Sequence, residues 1–274
     1  IRKIIFLPYF CLMWQQYLQQ IQNGDAKALA RCISLIENEV KGYDELMQLL
    51  PSSSVPVIGI TGPPGAGKST LVDALINLLV GKEKKVGVLC VDPSSPFNLG
   101  ALLGDRIRMS EWYNNPNVFI RSLATRGSLG GLHPKIIEIS DLMKVAPFDY
   151  IIIETVGVGQ SETAVHSMVD FFLLLKISGA GDELQGIKRG IMEMADTIVI
   201  NKADGDNVAK AKLAKTEFNR ALHLFPAKSS GWIPKVTTCS AYEKTGIEAI
   251  WEIISDYFEL VKSNHYFEEK RQNQ

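Results

Sequence analysis

Apolar residues along this chain fall into two alternating rhythms. Near-continuous apolar runs recur at Val57–Ile60, Val86–Val91, Val118–Ile120, Tyr150–Ile153, Phe171–Leu175, Thr197–Ile200 and Val236–Cys239. Between most of them lie stretches with helical spacing, at 68–80, 134–145, 183–194, 206–224 and 246–260. A run that is apolar at every position, not at every second one, predicts a strand buried on both faces. Such strands alternating with amphipathic helices predict an α/β fold, a mostly parallel sheet flanked by helices on both faces. Ahead of the first strand, Asn23-Gly24-Asp25 reads as a turn and helix N-cap. Leu29, Cys32, Ile36 and Val40 then form the stripe of one helix over 26–48. Pro51-Ser52-Ser53-Ser54 links this N-terminal helical extension to the first strand.

The chain start reads differently. Arg2-Lys3 followed by apolar Ile4 to Trp14 is superficially like a signal sequence, but the run is too short to span a bilayer. It leads into Gln15-Gln16-Tyr17-Leu18-Gln19-Gln20 with no small-residue cleavage site. The expectation is that Met13 is the natural start, with 1–12 a non-native or upstream leader and 13–50 the helical extension.

Length and charge narrow the classes. A chain of 274 residues suits one α/β nucleotide-binding domain and buries a large core without disulfides. A net charge of −1 gives no electrostatic case for nucleic acid or an anionic membrane as main partner. Cys11, Cys32, Cys90 and Cys239 are scattered without a CxxC pair, which fits a reducing, cytoplasmic setting. His133, His166, His223 and His265 are isolated, so no Cys/His cluster has metal-ligand spacing.

The chemistry sits at strand ends. Gly62-Pro63-Pro64-Gly65-Ala66-Gly67-Lys68-Ser69-Thr70 is a full GxxxxGK[ST] loop between a strand and a helix. Its glycines let backbone N–H groups curl round a phosphate, and the following helix points its positive end at the anion. Lys68 then reaches the β- and γ-phosphates and the Ser69 hydroxyl serves Mg²⁺. Asn201-Lys202-Ala203-Asp204 follows the strand Thr197–Ile200. A carboxylate there accepts from both N1–H and the exocyclic amine of guanine, a donor pair that adenine lacks. Asn201 is placed to tie this loop back to the phosphate loop, with Lys202 packing on the base or sugar. Cys239-Ser240-Ala241 after the last strand offers backbone N–H to the guanine oxygen, the Ser240-Ala241 dipeptide carrying weight only through this position. Ile153-Glu154-Thr155-Val156-Gly157 ends a strand in an acid with Gly three residues on, so Glu154 faces Mg²⁺ and the Gly157 N–H the γ-phosphate. Asp92 ends a strand beside the phosphate loop and suits a Mg²⁺-bound or attacking water, though Asp92-Pro93 is also a turn signal. Asp105, in a polar loop, reads as part of a first switch or as a helix N-cap.

Together the strings GPPGAGKST, VDPSSP, GDRIRM, ETVGVGQSE, SGAGDELQGIK, NKADGDN and CSA closely resemble the ArgK/MeaB-type, methylmalonyl-CoA mutase-associated GTPases, from about Gln15 to Gln274. The resemblance implies a P-loop NTPase fold with the GTPase domain at 51–262 and slow GTP hydrolysis. It places nucleotide contacts on Gly62 to Thr70, Gly157, Asn201, Lys202, Asp204 and Ser240-Ala241-Tyr242. Mg²⁺ and hydrolysis fall on Ser69, Asp92, Asp105 and Glu154, with Lys68. Gln185 and Lys188 match the family's partner-sensing switch. The implied role is a chaperone that gates adenosylcobalamin loading and protects or rescues methylmalonyl-CoA mutase or a relative. A homodimer is implied as well, held by a helical arm of which 263–274 is the truncated start. The competing reading is an ATP-dependent kinase or ATPase coupled to lysine/arginine/ornithine transport, against which the guanine reader Asn201–Asp204 argues. A nucleotide-binding scaffold without turnover is the third.

Overall fold

The computed structural model describes residues 6–92, 109–125, 132–155, 161–178 and 189–272. It opens with three helices, α1 (Phe6–Gln22), α2 (Ala26–Glu37) and α3 (Tyr43–Gln48). There follow β1 (Val57–Thr61), α4 (Lys68–Gly81), β2 (Val86–Asp92), β3 (Val118–Ala124), α5 (Ile136–Met143) and β4 (Tyr150–Glu154). The second half contains α6 (Ser161–Met168), β5 (Phe171–Ile177), α7 (Arg189–Met194), β6 (Thr197–Asn201), α8 (Val208–Leu222), β7 (Lys235–Thr238), α9 (Ile247–Ser263) and α10 (Tyr266–Gln272). Among the described residues the strands make one sheet in the order β3-β2-β4-β1-β5-β6-β7, with every pairing parallel. The strand carrying the phosphate loop, β1, is therefore central.

Alternate residues of the inner strands go to opposite cores, which is why their runs are nearly all apolar. Val57, Ile151, Ile153, Phe172, Leu174, Ile198 and Ile200 face the core made with α1, α2, α3, α5, α6 and α8. Ile58, Ile60, Ile152, Phe171, Leu173, Leu175 and Val199 face the core made with α4, α9 and α10. Trp14, Leu18 and Ile21 bury α1 in the first of these, so the N-terminal helices are part of the domain's packing.

The helix expected over 26–48 is two helices. Asp25 caps the first as read from sequence, its carboxylate accepting from the N–H of Lys27 (2.8 Å) and Ala28 (3.1 Å). Leu29, Cys32 and Ile36 are buried, but Val40 is not in the stripe and is 41% exposed. The reason is a C-terminal cap: Val40 N–H bonds Leu35 C=O, Glu39 N–H bonds Ile36 C=O, and Glu39 is left-handed at φ 47°. That pair of bonds closes a helix end without glycine. Helix α6 was also absent from the pattern, because its eight residues carry a weak apolar stripe.

A repeated device organises the sheet's N-terminal edge. The residues before β4, β5 and β6 are all aspartates, and each completes the ladder with its side chain. Lys85 N–H donates to Asp149, Val57 N–H to Asp170 and Phe172 N–H to Asp196, at 2.7–2.8 Å. Each carboxylate also has a cation: Lys84, Arg271 and Lys228 respectively. Arg271 lies on α10, so the last helix is pinned to the root of the central strands.

Candidate functional site

The opposite, C-terminal edge of the sheet gathers the motif residues. The loop 62–67 leaves β1, and α4 begins at Lys68. The Lys68 amine, almost fully buried, donates to the carbonyls of Gly62 (2.9 Å) and Pro63 (3.1 Å), so it lies over the loop it belongs to. Ser69, the next residue, donates from Oγ to Glu154 Oε1 at 2.7 Å. Both are buried, at 9% and 4% exposure. Sequence placed them in one metal shell from motifs far apart in the chain, and the fold does bring them together. A hydroxyl beside a carboxylate is a hard oxygen pair of the kind Mg²⁺ takes, so the residues present fit that ion. The end of β4 is held to the end of β1 by a second hydroxyl contact, Thr155 Oγ1 donating to Thr61 Oγ1 at 2.9 Å. Thr155 N–H also bonds Ile60 C=O at 3.2 Å.

Asn201 is the hub of the other half. Its Nδ2 donates to Ala66 C=O at 2.8 Å, the tie to the phosphate loop that the sequence led us to expect. Its Oδ1 accepts from Ala241 N–H at 3.0 Å and from the Cys239 thiol at 3.4 Å. Gly67 is left-handed at φ 90°, and a Cβ on it would fall 2.5 Å from Asn201 Nδ2. The site therefore needs glycine there for two reasons, backbone conformation and space. The sequence reading has the Cys239-Ser240-Ala241 segment offering backbone N–H to the guanine oxygen; in this structure the Ala241 N–H donates to Asn201 and organises the loop from within.

Asp204 sits three residues further on, in extended conformation at the start of a 3₁₀ turn (Gly205–Asn207). The fully buried Ser240 hydroxyl donates to Asp204 Oδ2, and Ser240 Oγ accepts from Glu243 N–H at 3.1 Å. Ser240 and Thr245 exchange two main-chain bonds of 3.1 and 3.0 Å, closing the loop around Tyr242, which is 87% exposed. Lys202 adopts φ 58°, turning the chain between Asn201 and Asp204. The aspartate's orientation is thus set by a neighbouring loop and not by its own motif.

Asp92 ends β2, two residues beyond Cys90, which is level with Glu154. Its side chain, Asp105, Gly157 and the segment with Gln185 and Lys188 lie outside the described residues. Buried His133 and half-buried His166 have structural surroundings. His133 Nδ1 accepts from Lys135 N–H at 3.0 Å. His166 meets Phe172 edge-on, with centroids 5.7 Å apart. Sequence reasoning missed Thr61, Thr155 and the Cys239 thiol contact, since a lone Thr or Cys beside a motif carries no signal until the strands are paired. Burial, with Asp204 nearby as a smaller influence, pushes the Cys239 thiol up to about 12, so it is a protonated donor at neutral pH.

Known proteins are similar to this sequence over most of its length. The sequence profile of the family described as methylmalonyl-CoA mutase-associated GTPase MeaB matches residues 29–274. GTPase ArgK of Escherichia coli is 42% identical over 263 residues, spanning 94% of this chain and 80% of its own length. The probable GTPase Rv1496 of Mycobacterium tuberculosis is 42% identical over 260 residues, covering 93% of this chain and 77% of its own. The mitochondrial methylmalonic aciduria type A homolog of Caenorhabditis briggsae is 39% identical, across 95% of this chain and 67% of that protein. A crystal structure titled LAO/AO transport system kinase superposes with TM-score 0.77 at 35% identity, covering 96% of this chain and 80% of that one. No helix among the described residues is long and apolar enough to cross a membrane.

Proposed function

The chain belongs to the methylmalonyl-CoA mutase-associated GTPases, and we propose that it is a guanine-nucleotide-switched chaperone for an adenosylcobalamin-dependent mutase. The single observation that carries the nucleotide half of this reading is the Asn201 clasp, which joins the phosphate loop and the Asn201–Asp204 loop into one site. In the proposed complex the backbone of Gly62 to Thr70 cradles the phosphates. Lys68 exchanges its two carbonyl acceptors for β- and γ-phosphate oxygens. Asp204 accepts from the two guanine donors, with Lys202 and the Ser240–Tyr242 loop lining the base.

Ser69 and Glu154 would hold Mg²⁺, with Asp92 and Asp105 completing the acidic surroundings. Bound Mg²⁺ supplies neutralisation of charge on the β,γ-phosphates. Gly157, two residues past Thr155 in the sequence, is the proposed reporter of the γ-phosphate through its N–H. Hydrolysis removes that phosphate, and the GTP and GDP forms are proposed to differ in the segments that follow β2, β4 and β5 in the sequence. Those segments, Gln185 and Lys188 included, are the proposed surface through which a cytoplasmic mutase senses the nucleotide and is loaded, protected or rescued. A homodimer is proposed from the family resemblance.

The test uses the whole chain with the acyl-CoA mutase of its own source. Single-turnover GTP hydrolysis is measured with and without the mutase, and binding of GTP and ATP by calorimetry. Faster hydrolysis with mutase present and firm preference for GTP are expected. Equal affinity for ATP would refute the guanine reading, and a hydrolysis rate indifferent to the mutase would refute the chaperone reading.

A further inference from the structure

The Asn201 carboxamide has to face one way. If it flipped, Nδ2 would oppose the Ala241 N–H, and Oδ1 would oppose Ala66 C=O, so donors would meet donors and acceptors acceptors. Three groups hold the correct orientation: Ala66 C=O, Ala241 N–H and the Cys239 thiol. The first two are main chain and present in any sequence. The third is a side-chain choice, and it is fully desolvated, with Cys239 2% exposed and Asn201 2% exposed. Cys239 is otherwise tightly placed by its own backbone: its N–H bonds Ile200 C=O at 2.9 Å and its C=O accepts from Ala203 N–H at 3.0 Å. The thiol therefore stands at the junction of β6, the loop after β7 and, through Asn201, the phosphate loop.

We propose that Cys239 is a positioning residue for nucleotide retention. Its S–H donates the second hydrogen bond to Asn201 Oδ1 and thereby couples the base-reading loop to the phosphate loop. The inference rests on the proposed reading of Asn201–Asp204 as the guanine reader. It goes beyond that reading by assigning a role to a residue that touches neither base nor phosphate. The thiol's elevated titration range keeps it a donor throughout the physiological range. Loss of one weak donor to a neutral acceptor changes an equilibrium by a small factor, so the expected effect is about three-fold, within roughly two- to five-fold.

The variants Cys239→Ala and Cys239→Ser separate this role from simple packing. A hydroxyl costs more to desolvate than a thiol, so serine keeps the donor at a cost in stability, whereas alanine removes the donor. Release of a fluorescent GDP analogue is followed by stopped flow, beside the thermal midpoint of each variant without nucleotide. A positioning role gives faster release in Cys239→Ala, release near wild type in Cys239→Ser, and the lower midpoint in Cys239→Ser. In an Asn201→Ala background, Cys239→Ala should change release no further. Release rates that follow the midpoints, or Cys239→Ser releasing as fast as Cys239→Ala, would overturn the proposal. Wild-type protein that does not prefer guanine in the same assay would instead refute the base-reader premise, so the two failures are told apart.

Discussion

Gly67→Ala probes the centre of the site, with Gly65→Ala as its control. Both glycines are left-handed, at φ 90° and 75°, so both substitutions carry the backbone penalty of an L-residue there, about 1–2 kcal/mol. They differ in space. A Cβ on Gly65 meets nothing within 4 Å, whereas one on Gly67 lies 2.5 Å from Asn201 Nδ2. That amide cannot yield without losing its 2.8 Å bond to Ala66 C=O and disturbing its contacts to Ala241 and Cys239. Breaking a buried hydrogen bond and leaving its partners unsatisfied costs about 1–3 kcal/mol. Gly67→Ala should thus destabilise by roughly 2–5 kcal/mol in all, against roughly 1–2 for Gly65→Ala. For a chain of this size the larger loss lowers the thermal midpoint by about 4–10 °C. Urea and thermal unfolding without nucleotide measure the difference free of any binding effect. In an Asn201→Ala background the clash disappears, and Gly67→Ala should fall back to the cost of its control, a coupling of about 1–3 kcal/mol. Equal losses for the two glycines, or strict additivity with Asn201→Ala, would refute the clasp as drawn.

Asp204→Asn should move nucleotide preference from guanine to xanthine, read by competition binding, and unchanged guanine preference would remove Asp204 from base recognition. Asp170→Asn should destabilise by about 3–5 kcal/mol in urea denaturation, because it strips a buried carboxylate from Arg271 while nucleotide affinity, set at the other edge of the sheet, stays as it was. Burial foremost, and then Lys270, hold His166 down at about 4 against 6.5 for a free histidine. Its folded form is therefore neutral: the associated stability is complete above about pH 6.5 and is lost as pH falls toward 4, on the order of 1–3 kcal/mol. His166→Gln should flatten that part of the pH–stability curve, and an identical acid slope in the variant would exclude His166 as its source. Lys68→Ala should abolish GTP turnover in a phosphate-release assay, and wild-type turnover would take the loop out of the mechanism.

Local patterns carried a large part of this molecule in the sequence itself. Near-continuous apolar runs between amphipathic helices predict strands covered on both faces, as β1 and β6 are. A glycine-rich loop between such a strand and a helix has one geometry open to it, and Asp25 caps a helix wherever the chain turns into one. These readings need only neighbours a few residues apart. What tertiary structure decided involves partners far apart along the chain. Asn201 meets Ala66 across 135 positions and Ser69 meets Glu154 across 85. Arg271 reaches Asp170 across 101, and nothing in the motif around either residue announces it. The Cys239 thiol and the Thr61–Thr155 contact belong to the same class. Each depends on strand order and register, which determine which side chains share a desolvated space, and a one-dimensional pattern of polarity does not encode that choice.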